Sequence, residues 1–332
     1  MGAKMLIDGY DTLLLDLDGV VYLGPHPIPA ATESLKEAAR SGIRLAYCTN
    51  NASRTPRAIA EHLTALGAPA SVEDVVTSAQ AAARLIAERV PAGSPVLVVG
   101  GMGLRTAVRQ QGLRPVTTAL DHPVAVVEGF TPDLSYSLLR EGALAVRQGA
   151  LFVAANADST MPTSRGEVPG NGSLTQVIAH ATGATPIVAG KPERPMHRES
   201  ILRTGSQRPL VVGDRLDTDI EGATAASVDS LLVLTGVATP LDILTAGPRH
   251  RPTYIAADLS ELHQPYPDIT VEAGQWTCAA WTATWKDNSL SLEGHGDPVN
   301  ALRAASAATW ASVGHHSAAP AAVTSALELL SP

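Results

Sequence analysis

The sequence predicts an α/β protein: a parallel-sheet core, a second α/β domain inserted into it, and a small α+β extension at its C-terminal end. Three observations carry this prediction. Apolar runs of strand length alternate with amphipathic helical stretches over residues 1–77 and again over 190–262. The same alternation fills residues 78–189 between them. From residue 265 to 332 the rhythm changes, and all four tryptophans (Trp276, Trp281, Trp285 and Trp310) fall there.

The elements follow in order. "TLLLDLD" reads as a buried strand and "IPAATESLKEAARSG" as an amphipathic helix ending at Gly42. "IRLAYCTN" is a second strand. "TPRAIAEHLTALG" is a second helix, with Thr55 as N-cap and Pro56 in the first helical position. Strands alternating with helices imply a parallel sheet. In the middle, "SPVLVVGG", "PVAVVEGF" and "ALFVAANAD" are strands followed by the helical "LRTAVRQQG", "DLSYSLLREGALAVRQG" and "SLTQVIAHATG". The last strand and helix are separated by the loop-like "STMPTSRGEVPGNGS". After Gly190 come the helix "RPMHRESILRTG", the strand "PLVVGD", the helix "DTDIEGATAAS" and the strand "DSLLVLTG". Beyond the linker "HQPYPD", the stretches "GQWTCAAWTATWKD" and "SLSLEGH" alternate like paired strands, and "PVNALRAASAATWASVG" and "AAVTSALELL" read as helices.

Bulk composition narrows the function classes. The chain has 332 residues, 45% hydrophobic and 17% charged, an ordinary globular composition for two or three domains. A net charge of -8 argues against a general nucleic-acid binder. Two cysteines, Cys48 and Cys278, cannot build a disulfide framework, which makes a reducing cytoplasm the default expectation. No early segment reads as a signal peptide, and no apolar run is long enough to span a bilayer.

The chemistry-bearing residues sit at predicted strand ends. Asp16 and Asp18 close the first strand, and in a β-strand residues i and i+2 face the same side. Ligands of parallel α/β sheets bind outside the carboxyl ends of the strands. By themselves the two aspartates are equally compatible with an Asp-Gly turn. Thr49, Asn50 and Asn51 end the second strand with a hydroxyl, two amides and free backbone N–H groups, which suits phosphate but also suits a simple turn. "PLVVGD" ends at Asp214, with Asp217 and Asp219 behind it; these two also fit a helix N-terminus. A pocket of such carboxylates needs a counter-ion, and Mg²⁺ takes hard oxygen ligands. Lys191 stands in "AGKPERP" in a chain with only four lysines, as a point charge for carboxylate and phosphate or as a surface residue. The glycines of "VVGGMGLRT" lack the third glycine of a dinucleotide-binding turn and read as a tight strand–helix turn, and His315-His316 as a solvated pair.

"DLDGVVYLG", "CTNN", "GKP" and "GDRLDTDI", in this order, resemble the four signature motifs of the haloacid dehalogenase superfamily of phosphatases. "AANADSTMPTSRGEVPGNGSL" narrows the resemblance to the NagD-like, p-nitrophenylphosphatase-like branch, which includes phosphoglycolate, glycerol phosphate and pyridoxal phosphate phosphatases. The resemblance spans Leu6 to Leu262 and leaves the tail outside. It implies a Rossmann-like core (residues 1–77 and 190–262), a mobile C2-type cap (78–189) and the extension (265–332) as an addition. It implies Asp16 as nucleophile, Asp18 as general acid and base, and Lys191 paired with Asp16 and the phosphate. It implies Mg²⁺ held by Asp16, the backbone carbonyl of Asp18 and Asp214, with Asp219 behind the metal's waters. Thr49, Asn50 and Asn51 would bind phosphoryl oxygens. Met161, where similar pyridoxal phosphate phosphatases carry a histidine, would face the substrate or simply pack the cap hinge. The expected activity is Mg²⁺-dependent hydrolysis of small phosphate monoesters through an aspartyl-phosphate, with glycerol 3-phosphate or 2-phosphoglycolate as substrate. Pyridoxal phosphate or a nucleotide monophosphate is the alternative within the branch. A phosphomutase, or a non-catalytic regulatory or binding protein on the same fold, is the alternative outside it. The expected partners are a small phosphorylated metabolite and a second copy of the chain, joined through the cap or the extension, with no nucleic acid and no membrane.

Overall fold

A computed structural model describes residues 4–163 and 165–330. The chain divides into two compact units. One is built from the residues up to Leu45 and from Ser206 onward, the other from Ala46 to Gly205.

The first unit opens with β1 (Thr12–Leu15), all four residues buried. Pairing extends one residue further, because the Asp16 N–H donates to the Val212 carbonyl at 2.8 Å. A bend at Leu17 then ends the extended path, and β2 (Tyr22–Leu23) and β3 (His26–Pro27) form a short hairpin. α1 (Ala31–Arg40) buries Ala31, Leu35 and Ala38, spaced to share one helix face. β4 (Arg44–Thr49) carries the chain into the second unit.

There, α2 (Pro56–Ala65) starts as its sequence predicts: Thr55 Oγ1 accepts the Ala58 N–H at 3.3 Å, and Pro56 takes the first position. β5 (Val75–Thr77) runs parallel to β4, and α3 (Ser78–Ala87) begins with a capping box between Thr77 and Gln80. The chain continues through β6 (Pro95–Val99), α4 (Met102–Gln110), β7 (Arg114–Val116), β8 (Ala125–Glu128), α5 (Tyr136–Arg147) and β9 (Leu151–Ala154). It then forms β10 (Thr160–Thr163), β11 (Gly166–Pro169), α6 (Asn171–Thr182), β12 (Ile187–Val188) and α7 (Arg194–Thr204). The strands β12-β9-β8-β6-β7 make a five-stranded parallel sheet. Its strands are near-continuous apolar runs because helices bury both faces of such a sheet. Leu97, Val99, Val126, Phe152 and Ile178 form its core.

Two local features differ from a plain reading of the chain. The Gly- and Pro-rich segment after β9 is not a bare loop: β10 and β11 pair antiparallel, Met161 opposite Val168. Prolines and half-exposed positions hide these strands, since nothing apolar alternates there. The glycines of "VVGGMG" do make a tight turn: a Cβ on Gly103 would collide with the backbone carbonyls of Ala52 and Arg54.

The chain re-enters the first unit at β13 (Pro209–Gly213), followed by a π-helical turn at Leu216–Ile220, α8 (Glu221–Ala226), β14 (Asp229–Val233), α9 (Pro240–Leu244) and β15 (Tyr254–Ala256). In this unit β15, β14, β13 and β1 lie side by side and parallel. The π turn replaces the start of the helix expected from Asp217: the Ile220 N–H reaches back five residues to the Arg215 carbonyl at 3.2 Å.

The extension then forms an antiparallel sheet in chain order, β16 (Ile269–Glu272), β17 (Gln275–Cys278), β18 (Trp281–Lys286) and β19 (Ser289–Gly294), with α10 (Pro298–Val313) and α11 (Pro320–Leu330). Burial alternates along β18 and β19, as the period-two pattern predicts. Its inward side chains do not form a core of their own. Trp281, Leu290, Leu302 and Val323 share one cluster with Ile220, Leu232, Ile243, Leu244 and Ile255. Arg303, 3% exposed, anchors this junction. It donates twice to the Ile255 carbonyl (2.8 and 2.6 Å), pairs with Glu261 and stacks 4.6 Å over the Tyr266 ring. Both cysteines are buried, and neither is in a disulfide. Among the described residues no helix is long and apolar enough to cross a membrane.

Candidate active site

The first unit gathers three carboxylates from distant parts of the chain. Asp16 lies just past β1, Asp214 just past β13, and Asp219 in the π turn. One oxygen from each lies within 4.8 Å of the other two. Parallel pairing of Leu15 with Val212 brings the ends of β1 and β13 level. The π turn folds Asp219 back so that its Oδ2 accepts the Arg215 N–H at 3.3 Å. Glycines make room for the cluster. A Cβ on Gly19 or Gly236 would overlap the Asp214 carboxylate, and one on Gly213 would overlap that of Asp219. Asp214 Oδ2 also accepts the Val237 N–H at 2.8 Å. Asp214 and Asp219 are 1% exposed, and anionic oxygens packed this closely and this deep require a cation. Three hard oxygen donors from carboxylates suit Mg²⁺.

Asp18 stands apart from that set. The bend at Leu17 breaks the extended geometry on which the same-face argument depended, and the Asp18 carboxyl is not among the clustered oxygens. It remains solvent-exposed at its edge, yet partial burial pushes its pKa up against the opposing pull of the Gly24 and Gly19 N–H groups. Asp217, the other acid of the motif, points away: Arg215 grips it with a fork of two hydrogen bonds, 3.0 and 2.8 Å.

The second unit gathers the remaining predicted residues. Lys191 is 4% exposed, so the reading of a surface lysine does not hold. Its N–H donates to Asn50 Oδ1 at 2.8 Å, and Asn50 Nδ2 donates back to the Lys191 carbonyl at 3.1 Å. Gly190 permits this, since a Cβ there would collide with Asn50 Oδ1. Asn50 Nδ2 also donates to Asp158, 3.1 and 3.3 Å from its two oxygens. Thr49 Oγ1 accepts the Asn51 N–H at 3.1 Å. Asn51 Oδ1 accepts from the N–H groups of Ser53 and Arg54 and the Ser53 hydroxyl, each at 3.0 Å. That oxygen does turn work, as the alternative reading had it. Met161 is half-buried on β10.

Sequence reasoning missed three members of this network. Asn156 Nδ2 donates to the Asn50 carbonyl at 2.7 Å, and Asn171 Nδ2 donates to the Asn156 carbonyl at 2.8 Å. Glu128, fully buried at the end of β8, accepts from the Thr175 hydroxyl. Burial pushes its pKa up to about 8, more than Thr175 and Asn171 pull it down. The signal was present: Glu128 is the only charged residue in the apolar run "PVAVVEGF".

Comparison with known proteins agrees with this geometry. Residues 13–114 match the family model for haloacid dehalogenase-like hydrolases, and residues 188–262 a HAD-hydrolase-like model. Residues 278–331 match a GCN5-related N-acetyltransferase-like domain. The D-glycerol 3-phosphate phosphatase of Mycobacterium tuberculosis is 45% identical over 315 residues, 92% of this chain and 88% of that protein. The crystal structure of a glycerol phosphate phosphatase from the same organism, in complex with magnesium, superposes with a TM-score of 0.85 at 43% identity, covering 93% of each chain. The 5'-nucleotidase YutF of Bacillus subtilis is 37% identical over 76% of this chain and 97% of its own length. The chain belongs to the haloacid dehalogenase-like hydrolases. Within that family it is a phosphatase, a phosphoric monoester hydrolase.

Proposed function

We propose that this chain is a Mg²⁺-dependent phosphatase of D-glycerol 3-phosphate. The observation that carries the reaction is the triad of Asp16, Asp214 and Asp219, with oxygens within 4.8 Å of one another. The relative that matches 92% of the chain, extension included, supports the substrate. The nucleotide-cleaving relative matches only 76%.

Asp16 and Asp214 would hold the Mg²⁺, together with the Asp18 backbone carbonyl, and Asp219 would hold water bound to it. Bound there, the ion offsets the charge of two anions brought together and of the in-line transition state. Asp16 attacks phosphorus, the bond to the glycerol oxygen breaks, and an aspartyl-phosphate forms. Asp18 gives its proton to the departing alkoxide. Burial raises its pKa, which moves it towards the proton-holding form. As a carboxylate it then takes a proton from water, whose oxygen displaces phosphate from Asp16. Lys191 supplies positive charge for the phosphoryl group, and the Thr49 hydroxyl, the Asn50 backbone N–H and the Asn51 side-chain amide supply donors to its oxygens.

The same reading assigns residues 1–77 and 190–262 to the catalytic core and 78–189 to a cap. All strands of the five-stranded sheet fall between Pro95 and Val188. Met161 would set the apolar side of the substrate opening. We place the enzyme in the cytoplasm and expect self-association along the fully exposed β16 edge of the extension.

The test is a phosphate-release assay over glycerol 3-phosphate, 2-phosphoglycolate, pyridoxal phosphate and nucleoside monophosphates, with Mg²⁺ and with chelator. Glycerol 3-phosphate should give the highest kcat/KM and chelator should abolish turnover. A higher value for any other ester rejects the substrate assignment, and metal-independent turnover rejects the mechanism.

A further inference from the structure

Glu128 takes no part in the reaction above, yet it is 0% exposed at the end of β8. One of its oxygens, Oε2, accepts from Thr175. The other, Oε1, has no hydrogen-bond partner. The Asn171 side chain stands against the same carboxyl, and its Oδ1 is a second buried acceptor without a donor. Asn171 cannot answer by turning its amide without losing the 2.8 Å bond from Nδ2 to the Asn156 carbonyl. A buried carboxylate oxygen left without a donor is costly, and a proton on the carboxyl removes that cost.

We propose that Glu128 carries that proton and, as a neutral carboxyl, holds the Thr175 hydroxyl, which is hydrogen-bonded in turn to Asn171. It thereby anchors a relay of asparagines whose far end fixes Lys191. The relay is continuous within the second unit. Asn171 holds the Asn156 carbonyl, Asn156 holds the Asn50 carbonyl, and Asn50 clamps Lys191 through two bonds. Asn156 Oδ1 also accepts the Asp158 N–H at 3.1 Å, which steadies the second acceptor of Asn50. Glu128 is a positioning residue: it acts through Thr175 and Asn171.

The surroundings favour the neutral form. The strand partners of Glu128 are Val99 on β6 and Ala154 on β9. From α6 it meets Thr175 and Asn171, while the one titratable group of that helix, His180, lies in its last turn. On α3, Arg84 is paired with Glu199. On α5, Arg140 pairs with Glu141, and Arg147 donates to the Ala181 carbonyl. Among the described residues no cation answers a charge on Glu128, and its pKa lies near 8 for want of solvation. The sign follows. A carboxyl whose folded pKa exceeds its unfolded value stabilises the fold below the unfolded pKa and loses that contribution as pH rises towards 8.

The inference rests on the phosphatase reading for its consequence but not for its first measurement. Thermal stability of the wild type and of Glu128→Gln is followed from pH 5 to 9. Infrared difference spectra between them should contain the carbonyl stretch of a protonated carboxyl at pH 6, fading near pH 8. The wild-type Tm should fall relative to Glu128→Gln across that range. Parallel curves, or no such band, overturn the proposal whatever the enzyme hydrolyses. In the second measurement, Glu128→Gln should keep kcat and KM within twofold at pH 7, while Glu128→Leu loses kcat at least tenfold with a smaller change in KM. Equal losses in both variants, or none in Glu128→Leu, refute the relay. If Glu128→Leu does not fold, Asn156→Ala replaces it with the same expected split.

Discussion

Asn50 and Lys191, 141 positions apart, are joined as two strands would be: the Lys191 N–H donates to Asn50 Oδ1 at 2.8 Å and Asn50 Nδ2 donates to the Lys191 carbonyl at 3.1 Å. A side chain here substitutes for a backbone ladder. It holds the lysine's main chain in place and so fixes the point from which the side chain leaves.

Asn50→Ala should therefore misplace Lys191 without unfolding the protein. Displacement of a catalytic group by about an ångström costs roughly 10²-fold. Steady-state assays should give a kcat loss of that order, with a Tm within a few degrees of wild type. A variant with unchanged kcat would remove Asn50 from the positioning role.

Asp16→Asn keeps the shape of the side chain but removes the nucleophile. Turnover should drop by at least about a thousandfold. Circular dichroism and Tm should stay close to wild type, or slightly above, because one of three crowded charges is gone. Wild-type turnover in pure, folded Asp16→Asn would make the assignment wrong.

Asp219 and Gly213 offer a test of the metal. Asp219→Asn should raise the Mg²⁺ concentration needed for half-maximal activity by about 10–100-fold. Gly213→Ala should do the same from outside the ligand set, because its new methyl group would occupy the space of the Asp219 carboxylate. Mg²⁺ titration by calorimetry measures both. Unaltered affinity in the two variants would leave Asp219 no part in holding the ion.

Asp11 sets an acid limit on stability. Burial alone would raise its pKa, but hydrogen bonds from Ser206, the Gln207 N–H, Thr12 and the Arg208 N–H hold it at about 2. A depressed carboxylate pKa contributes stability above the unfolded value and loses it as pH falls through the folded value. The contribution of at most about 2 kcal/mol should disappear between roughly pH 4 and pH 2. Asp11→Asn should be less stable at pH 7 and converge on the wild type near pH 2. Urea unfolding at both pH values checks this, and a constant difference would contradict it.

Arg303 links the extension to β15. Arg303→Met leaves Glu261 without its cation and the Ile255 carbonyl without two donors. Removing one partner of a buried pair costs about 3 kcal/mol or more. The urea midpoint should fall accordingly, and adding Glu261→Gln should recover part of the loss. Because the extension shares its core with Ile243 and Ile255, deleting the residues after Gln264 should destabilise the whole first unit. A truncated chain with wild-type Tm would show the extension to be an independent addition.

Much of the molecule was legible along the chain. Thr55 and Pro56 announced the start of α2, and apolar runs marked the parallel strands, because capping and periodicity are properties of neighbouring residues. The ends of those strands held Asp16, Asn50 and Asp214, where ligands of such sheets bind. The hairpin β10–β11 was not legible, since its pairing partners are half-exposed and interrupted by prolines. The π turn was also hidden: the bond from Ile220 to Arg215 leaves no trace in residue type. The bend at Leu17 was hidden as well, since the one-residue spacing of Asp16 and Asp18 does not show that the chain leaves its extended path between them.

The order of strands and helices, the family, and the carboxylates, amides and lysine able to do chemistry are written along the chain. Which of them meet is settled by folding. It set Asp219 beside Asp16 and Asp214, clamped Lys191 with Asn50, closed Glu128 into a pocket with Asn171, and merged the tryptophan-rich extension into the core beside it. The physical reason is range. Helix and strand patterns are written by residues a few positions apart. A buried charge takes its meaning from atoms that packing brings to it across a hundred positions or more.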